Sequence, residues 1–223
     1  MRILIVSSDK LAHLLPMTIA SLRMNWKACP YDIHVLGVTK PTSRDVDVPV
    51  HLVGKDKQYA SNLLWYLNKD DTDPDGLILL WLDDHYLRSA DASFIRDCEQ
   101  LIRTKTIPYV RLVQRFTPSQ FPLYAKDERF RVIPHRAGYS MSLQASIWRK
   151  EALLQILVPG ENAWETELYG SIRAYRAWYG YRQLLGVAVP GIDYVNLHSR
   201  GEINAKAYAR CLEEMQNWKL GGA

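Results

Sequence analysis

The sequence predicts a single three-layer α/β/α domain built on a mixed, mainly parallel central sheet. Three observations predict it. Short, wholly apolar runs alternate with helix-period segments through the first half of the chain. Two of those runs end in polar clusters, "IVSSD" and "LWLDD", as strands do where an open α/β sheet binds ligands. A length of 223 residues with 48% hydrophobic content suits one sizeable core.

"RILIVSS" reads as a buried parallel strand ending at Ser7, Ser8 and Asp9. Leu11, Leu14, Leu15, Ile19 and Leu22 then fall at helical spacing, and Pro16 sets the firm start of that helix, where proline suits a first turn. "YDIHVLGV" and "VHLVG" are strands, "YASNLLWYLNK" is a short helix and "DDTDPDG" a turn. "LILLWL" is the next buried strand. Asp91 caps a helix that places Ile95, Cys98, Leu101 and Ile102 on one face. "IPYVRLV" is a strand, and the stretch from Gln114 to His135, rich in proline, arginine and aromatics, is irregular. "SLQASIW" returns to strand, "RKEALLQIL" and "WETELYGSIRAYRAW" are helices, "LLGVAVP" and "DYVNLH" late strands, and "INAKAYARCLEEMQNW" a closing helix.

Composition excludes several classes. Cys29, Cys98 and Cys211 stand far apart, which gives neither a zinc site nor a disulfide framework, and they read as small buried residues of a reducing compartment. No apolar run has the length of a membrane span, and "MRILIVSS" is too short for a signal peptide, so the expectation is a cytoplasmic protein, with docking at a membrane surface left open. The net charge of +4 suits anionic partners without choosing among nucleotides, nucleic acid and acidic lipid. GxSxG, HExxH, P-loop and GxGxxG patterns are missing, which disfavours the common hydrolase, NTPase and dinucleotide templates.

In "LILLWLDDHYL" a buried strand delivers Asp83 and Asp84 to one place. Adjacent carboxylates at a strand end suit Mg²⁺ or Mn²⁺, hard ions that share their oxygen ligands between protein and substrate phosphates. Strand alternation points the two apart, so one holds metal while the other meets a ribose or sugar hydroxyl. A plain turn with Asp84 capping backbone amides is the competing reading.

The succession "LILLWLDDHYL", "YSMSLQASIW" and "GENAWETELYGS" resembles small bacterial and viral glycosyltransferases of the GT-A fold, and the likeness runs from the first strand through "VNLHSRGE". The resemblance implies one GT-A-like domain over residues 1–223, with a nucleotide-sugar-binding half at 1–113 and an acceptor-side half at 114–223. It implies a nucleotide-sugar donor, here a UDP-sugar, with Ser7, Ser8 and Asp9 against the base and ribose and Ser61 and Asn62 near the same nucleotide. Asp83 and Asp84 take the aspartate-motif role, with Asp84 the preferred ligand of Mn²⁺ or Mg²⁺ and His198 a late ligand on metal or diphosphate. Gln144 and Trp148 border the sugar, and Glu165 or Glu167 faces the acceptor. "DDH" departs from the D-x-D pattern, which leaves open which aspartate binds metal.

For an inverting transfer one carboxylate deprotonates the acceptor hydroxyl. Glu165 and Glu167 lie two apart on a helix and face different ways, so only one serves. Glu165 is preferred, although acidic residues also favour helix starts. Arg111, Arg115, Arg129, Arg131 and Arg136, interleaved with aromatics, read as a phosphate clamp, a nucleic-acid track or a solvated hairpin. Tyr175 reads as core. The acceptor is a glycan or a hydroxymethylated DNA base. The rivals are a nucleotidyltransferase making sugar nucleotides, which needs a glycine-rich basic loop where this chain has "SSDKLAHLL", and a non-catalytic nucleic-acid-binding module.

Overall fold

Alternation within two buried strands creates the layers. In β1 (Arg2–Val6), Ile3 and Ile5 face one side and Leu4 and Val6 the other; in β4 (Leu77–Leu82), Leu77, Leu79 and Trp81 oppose Ile78 and Leu80. Each set nucleates its own core. The first is covered by α1 (Leu15–Asn25) and α3 (Ala92–Thr104), the second by α2 (Tyr59–Leu67), α4 (Lys150–Ile156) and α5 (Ala163–Trp178). The computed structural model describes residues 1–41, 45–69, 76–104, 107–114, 118–178, 183–189, 191–199 and 201–221.

β1 and β4 pair in parallel, and β2 (Ile33–Gly37) and β3 (Val50–Leu52) extend the sheet in parallel beyond β1. On the other flank come β9 (Ser146–Arg149), β6 (Tyr109–Arg111), β10 (Leu184–Val187), β8 (Asp127–Ile133) and β7 (Leu123–Tyr124), giving the order β3-β2-β1-β4-β9-β6-β10-β8-β7. Only β9 and β8 run against the rest. From β1 the chain moves outward to β2 and β3, then returns to place β4 on β1's other side. That reversal leaves a crevice beyond the carboxyl ends of β1 and β4.

Local chemistry fixes the joins. Pro16 occupies the first turn of α1, behind a short 3₁₀ turn at Ala12–Leu14. Asp91 Oδ1 accepts hydrogen bonds from the amides of Ser93 and Phe94 and from the Ser93 hydroxyl, a cap that stabilises α3 by about 1 kcal/mol. Gly37 ends β2 where the chain folds back so tightly that a Cβ would lie 2.3 Å from the Lys40 carbonyl oxygen.

Several elements differ from the sequence reading. The residues after the aspartates continue as β5 (His85–Ala90), which pairs with β11 (Ile192–Asn196) as a separate antiparallel ribbon rather than joining the main sheet. α1 holds this ribbon: Ser21 Oγ accepts from the Leu87 amide and Asn25 Nδ2 donates to the Leu87 carbonyl. The stretch expected to be irregular contains the β7–β8 pair. β12 (His198–Ser199) pairs with β13 (Glu202–Ile203), and α6 (Ala205–Gly221) packs on α1 through Cys211, Tyr208, Leu212 and Met215. Cys98 and Cys211 are buried and Cys29 half-buried. Tyr175 is half-buried rather than core, its hydroxyl accepting from Arg136, whereas Trp178 is buried. The expected "DDTDPDG" turn and Arg115 fall largely or wholly outside the described residues. Among the described residues no helix is long and apolar enough to cross a membrane.

Candidate active site

Beyond the ends of β1 and β4 lies a cavity of about 350 Å³, lined by Val6, Ser7, Ser8, Asn62, Asp83 and Asp84 together with Asp56, Gln58, Tyr59, Asn162 and Ala163. It draws on both halves of the chain, because Asn162 and Ala163 begin α5. A larger hollow of about 480 Å³ opens at the opposite end of β2, beside Trp26 and Asp32, away from the strand ends where ligands of such sheets bind.

Asp83 ties the two strand ends together. Its Oδ2 accepts from the Ser7 hydroxyl at 2.8 Å and the Ser8 amide at 3.1 Å, while its backbone carbonyl accepts from Thr18 at 2.6 Å. Asp84 points elsewhere. Its carbonyl accepts from the Leu197 amide at 2.7 Å, which brings His198 alongside, and the charge of His198 acts on the Asp84 carboxyl. His85 Nε2 lies 3.7 Å from Asp84 Oδ1. Burial pushes Asp83 up to about 7, against the bonds from Ser7 and Ser8, and Asp84 adds to the rise. Burial likewise pushes Asp84 up to about 6, opposed by a backbone amide and by His198.

Those shifts set a pH dependence. An unfolded aspartate titrates near 3.9, so between about pH 4 and 7 the folded chain holds protons that the unfolded chain has released. A raised acid pKa contributes stability that is present below the unfolded value and lost as pH rises through the folded one, here by up to about 1.4 kcal/mol per pH unit for each group. The metal-free protein is therefore expected to be more stable to urea at pH 5 than at pH 7.5, and Asp83→Asn to raise stability at pH 7.5. Stability that rises from pH 5 to 7.5, with no gain in the variant, would contradict the burial of these carboxyls.

The cavity's chemistry can be tested against a divalent cation. Its described lining carries three carboxylates and no lysine or arginine. His198 Nε2 is buried with no hydrogen-bond partner among the described residues. A carboxylate beside an unpartnered imidazole fits Mn²⁺ or Mg²⁺. No group of three histidine, cysteine or acidic side chains is assembled for metal among the described residues. Asp84 and His198 could supply at most two ligands to such an ion, which ordinarily completes its shell with substrate oxygens and water. The start of α5, sixteen residues long, adds the positive end of a helix dipole at Asn162 and Ala163.

The other expected residues divide. Asn62 lines the cavity: its Nδ2 donates to Asp56 Oδ1 and its Oδ1 accepts from the Lys57 amide. This lock holds Gln58 at φ 74° and ψ 161°, a region ordinarily reserved for glycine and costing on the order of 1–3 kcal/mol. Asp9 is not among the residues lining the cavity; its carboxylate accepts from the Thr39 and Lys40 amides, so it shapes the loop after β2. Ser61 accepts from the Gly160 amide and joins α2 to the α4–α5 loop, outside the cavity lining. Trp148 corrects the expectation: it is fully buried, its indole N–H bonded to Ser146 and its ring against Tyr109, because β9 lies inside the sheet.

The two glutamates separate as their spacing requires. Glu165 closes a reciprocal capping box with Asn162, each side chain accepting from the other's amide at 2.9 Å, so the helix-start reading accounts for it. Glu167 lines a second cavity of about 320 Å³ with Arg111, Phe121, Tyr139, Ser142 and Gln144. Tyr59 stands between the cavities. It lines the first, feels the charges of both Glu167 and Asp83, and its buried hydroxyl has no partner among the described residues. Sequence reasoning passed over Tyr59 because a tyrosine at a helix start carries no signal of its own. It also missed a strut between the sites: His85 stacks on Tyr194 at 3.9 Å, and the Tyr194 hydroxyl donates to Gln144 Oε1.

No protein-family model and no curated protein matches the chain. Solved structures do. Residues 1–349 of S. aureus TarS align with TM-score 0.57 at 12% identity, over 96% of this chain and 64% of that one. The same fragment in complex with UDP-GlcNAc gives 0.56 at 13%, over 93% and 62%. The mannosyltransferase PcManGT from Pyrobaculum calidifontis, in complex with GDP-Man and Mn²⁺, gives 0.55 at 13%, over 90% and 58%. The chain thus spans less than two thirds of the length of these proteins, and the likeness establishes a GT-A-like α/β fold.

Proposed function

We propose that the chain is a glycosyltransferase that moves a sugar from a nucleotide-sugar, a UDP-sugar first among them, to an acceptor hydroxyl. One observation carries this reading: the crevice where strand order reverses holds an acidic cavity lined by Asp84, and His198, whose Nε2 has no partner among the described residues, is near enough to act on that carboxyl. The solved structures with UDP-GlcNAc and with GDP-Man and Mn²⁺ support it through a shared fold.

Ser7, Ser8 and Asn62 border the nucleotide, and the first turn of α5 faces the diphosphate. Asp84 and His198 hold Mn²⁺ or Mg²⁺, which when bound offsets the charge gathering on the departing diphosphate. Glu167 accepts the acceptor's hydroxyl proton as that oxygen bonds to the anomeric carbon and the bond to the diphosphate breaks. Glu167 is the base rather than Glu165 because capping occupies Glu165, whereas Glu167 Oε1 is fixed by Ser142 and Leu143 and Oε2 carries no hydrogen bond among the described residues. This arrangement inverts the anomeric carbon.

The rival readings gain less support. The loop after β1 carries no glycine-rich basic cradle for a nucleotidyltransferase. Arg129 is paired with Asp97 and Asp127, Arg131 with the Phe121 carbonyl and Arg111 with Tyr109 and the Tyr139 carbonyl, which leaves little of a nucleic-acid track. The test is release of UDP or GDP from a panel of UDP- and GDP-sugars, with Mn²⁺ and with EDTA. Metal-dependent release from one donor is expected, and no release from any donor would remove the assignment.

A further inference from the structure

The second cavity faces chemistry that the donor does not use. Ala163 lines the first cavity and Glu167 the second, four residues apart on α5, which is about 6 Å of axial rise. Across the second cavity two polar groups remain available among the described residues. Glu167 Oε2 is an unused acceptor, and Gln144 Nε2 is an unused donor because the amide's oxygen takes the Tyr194 hydroxyl. A sugar hydroxyl, donor and acceptor at once, complements that pair.

The walls are aromatic and the charge balances. Phe121 and Tyr139 line the cavity, and the Trp164 indole donates to the Tyr139 hydroxyl at 2.9 Å, joining two exposed rings at the rim. Tyr139 sits at φ 52°, left-handed backbone that a non-glycine residue rarely adopts, while Arg111 grips its carbonyl at 2.6 Å. Arg111 is 3% exposed and bonded to the Tyr109 hydroxyl and the Tyr139 carbonyl, and Glu167 lines the same cavity with the opposite charge. Among the described residues such a lining offers no free clamp for phosphate oxygens, which a nucleic-acid strand would need.

We infer that this cavity is an acceptor subsite for a neutral sugar ring, one hydroxyl held between Gln144 Nε2 and Glu167 Oε2 and the ring's apolar face on the Tyr139–Trp164 pair. The acceptor is therefore a saccharide and not a DNA base. This rests on the transferase reading for its name, but sugar binding is measurable without the donor.

The test is a tryptophan-fluorescence titration with methyl glycosides of glucose, galactose, mannose and N-acetylglucosamine. A parallel titration uses a short oligonucleotide containing hydroxymethylcytosine. At least one glycoside is expected to bind saturably, with Gln144→Ala weakening it about tenfold through loss of the amide. Tyr139→Gly relieves the left-handed backbone, so it should melt no lower than wild type yet bind the sugar about tenfold more weakly. The inference is overturned if no glycoside binds, if both variants bind as wild type does, or if the oligonucleotide binds in their place. A thermal melt with UDP and Mn²⁺ separates the two claims. A nucleotide shift without glycoside binding sinks the acceptor inference alone, and glycoside binding without a nucleotide shift sinks the donor assignment alone.

Discussion

Asp84→Asn is expected to lower sugar transfer by roughly a hundredfold or more and to abolish any dependence on Mn²⁺. The reason is local. Among the described carboxylates at the cavity, Asp84 is the one near both His198 and His85, whereas Asp83 is committed to Ser7 and Ser8. Asparagine matches its size but carries no charge, so His198 alone cannot hold a hard cation. The same change removes a carboxyl that burial has pushed up to about 6. Without metal the variant should therefore melt higher than wild type at pH 8, where the native carboxyl is ionised in a desolvated place. Transfer assays with and without EDTA, paired with melts at pH 8, check both halves. Transfer at the wild-type rate would remove Asp84 as a metal ligand.

Glu167→Gln is expected to lower kcat by about 10²- to 10⁴-fold while leaving the donor KM near wild type. Glutamine's carbonyl oxygen can still accept from the Ser142 hydroxyl and the Leu143 amide, both 2.7 Å from Glu167 Oε1, so the local fold survives and only proton acceptance is lost. Glu165→Ala should behave in the opposite way. It breaks the capping box and costs about 1 kcal/mol of stability, but transfer continues. Kinetics of both variants alongside their melting temperatures decide the question. Inactivation by Glu165→Ala with full activity in Glu167→Gln would reverse the roles.

What the sequence made legible was decided by nearest neighbours. β1 and β4 are readable because residues 3–6 and 77–81 alternate between two cores, and Asp91 because a cap acts within three residues. The strand-end clusters at Ser7–Ser8 and Asp83–Asp84 were readable for the same reason, since parallel strands must end on one side. Long-range pairing was not. β5 follows an aspartate pair and needs β11, more than a hundred residues away, before "HYLRSA" becomes a strand. Trp148 looked like a sugar wall because nothing local reveals that β9 is inserted between β4 and β6. The choice between Glu165 and Glu167 turned on Asn162 and Ser142, one a local cap and the other 25 residues distant. Tyr59, Gln58 and Tyr139 were invisible because an unpartnered hydroxyl and a strained φ are properties of the folded chain alone.

On the proposed function, the cavity at the ends of β1 and β4 binds a nucleoside diphosphate with a divalent cation. The most direct measurement is a thermal melt of the purified protein across UDP, GDP and other nucleoside diphosphates, each with Mn²⁺ and with EDTA. A ligand that binds only the folded state at about one hundred times its Kd adds roughly 2.7 kcal/mol, which is readily visible. The expected result is a rise in melting temperature specific to one nucleotide, lost in EDTA and absent in Asp84→Asn. No shift with any nucleotide, with or without metal, would contradict it.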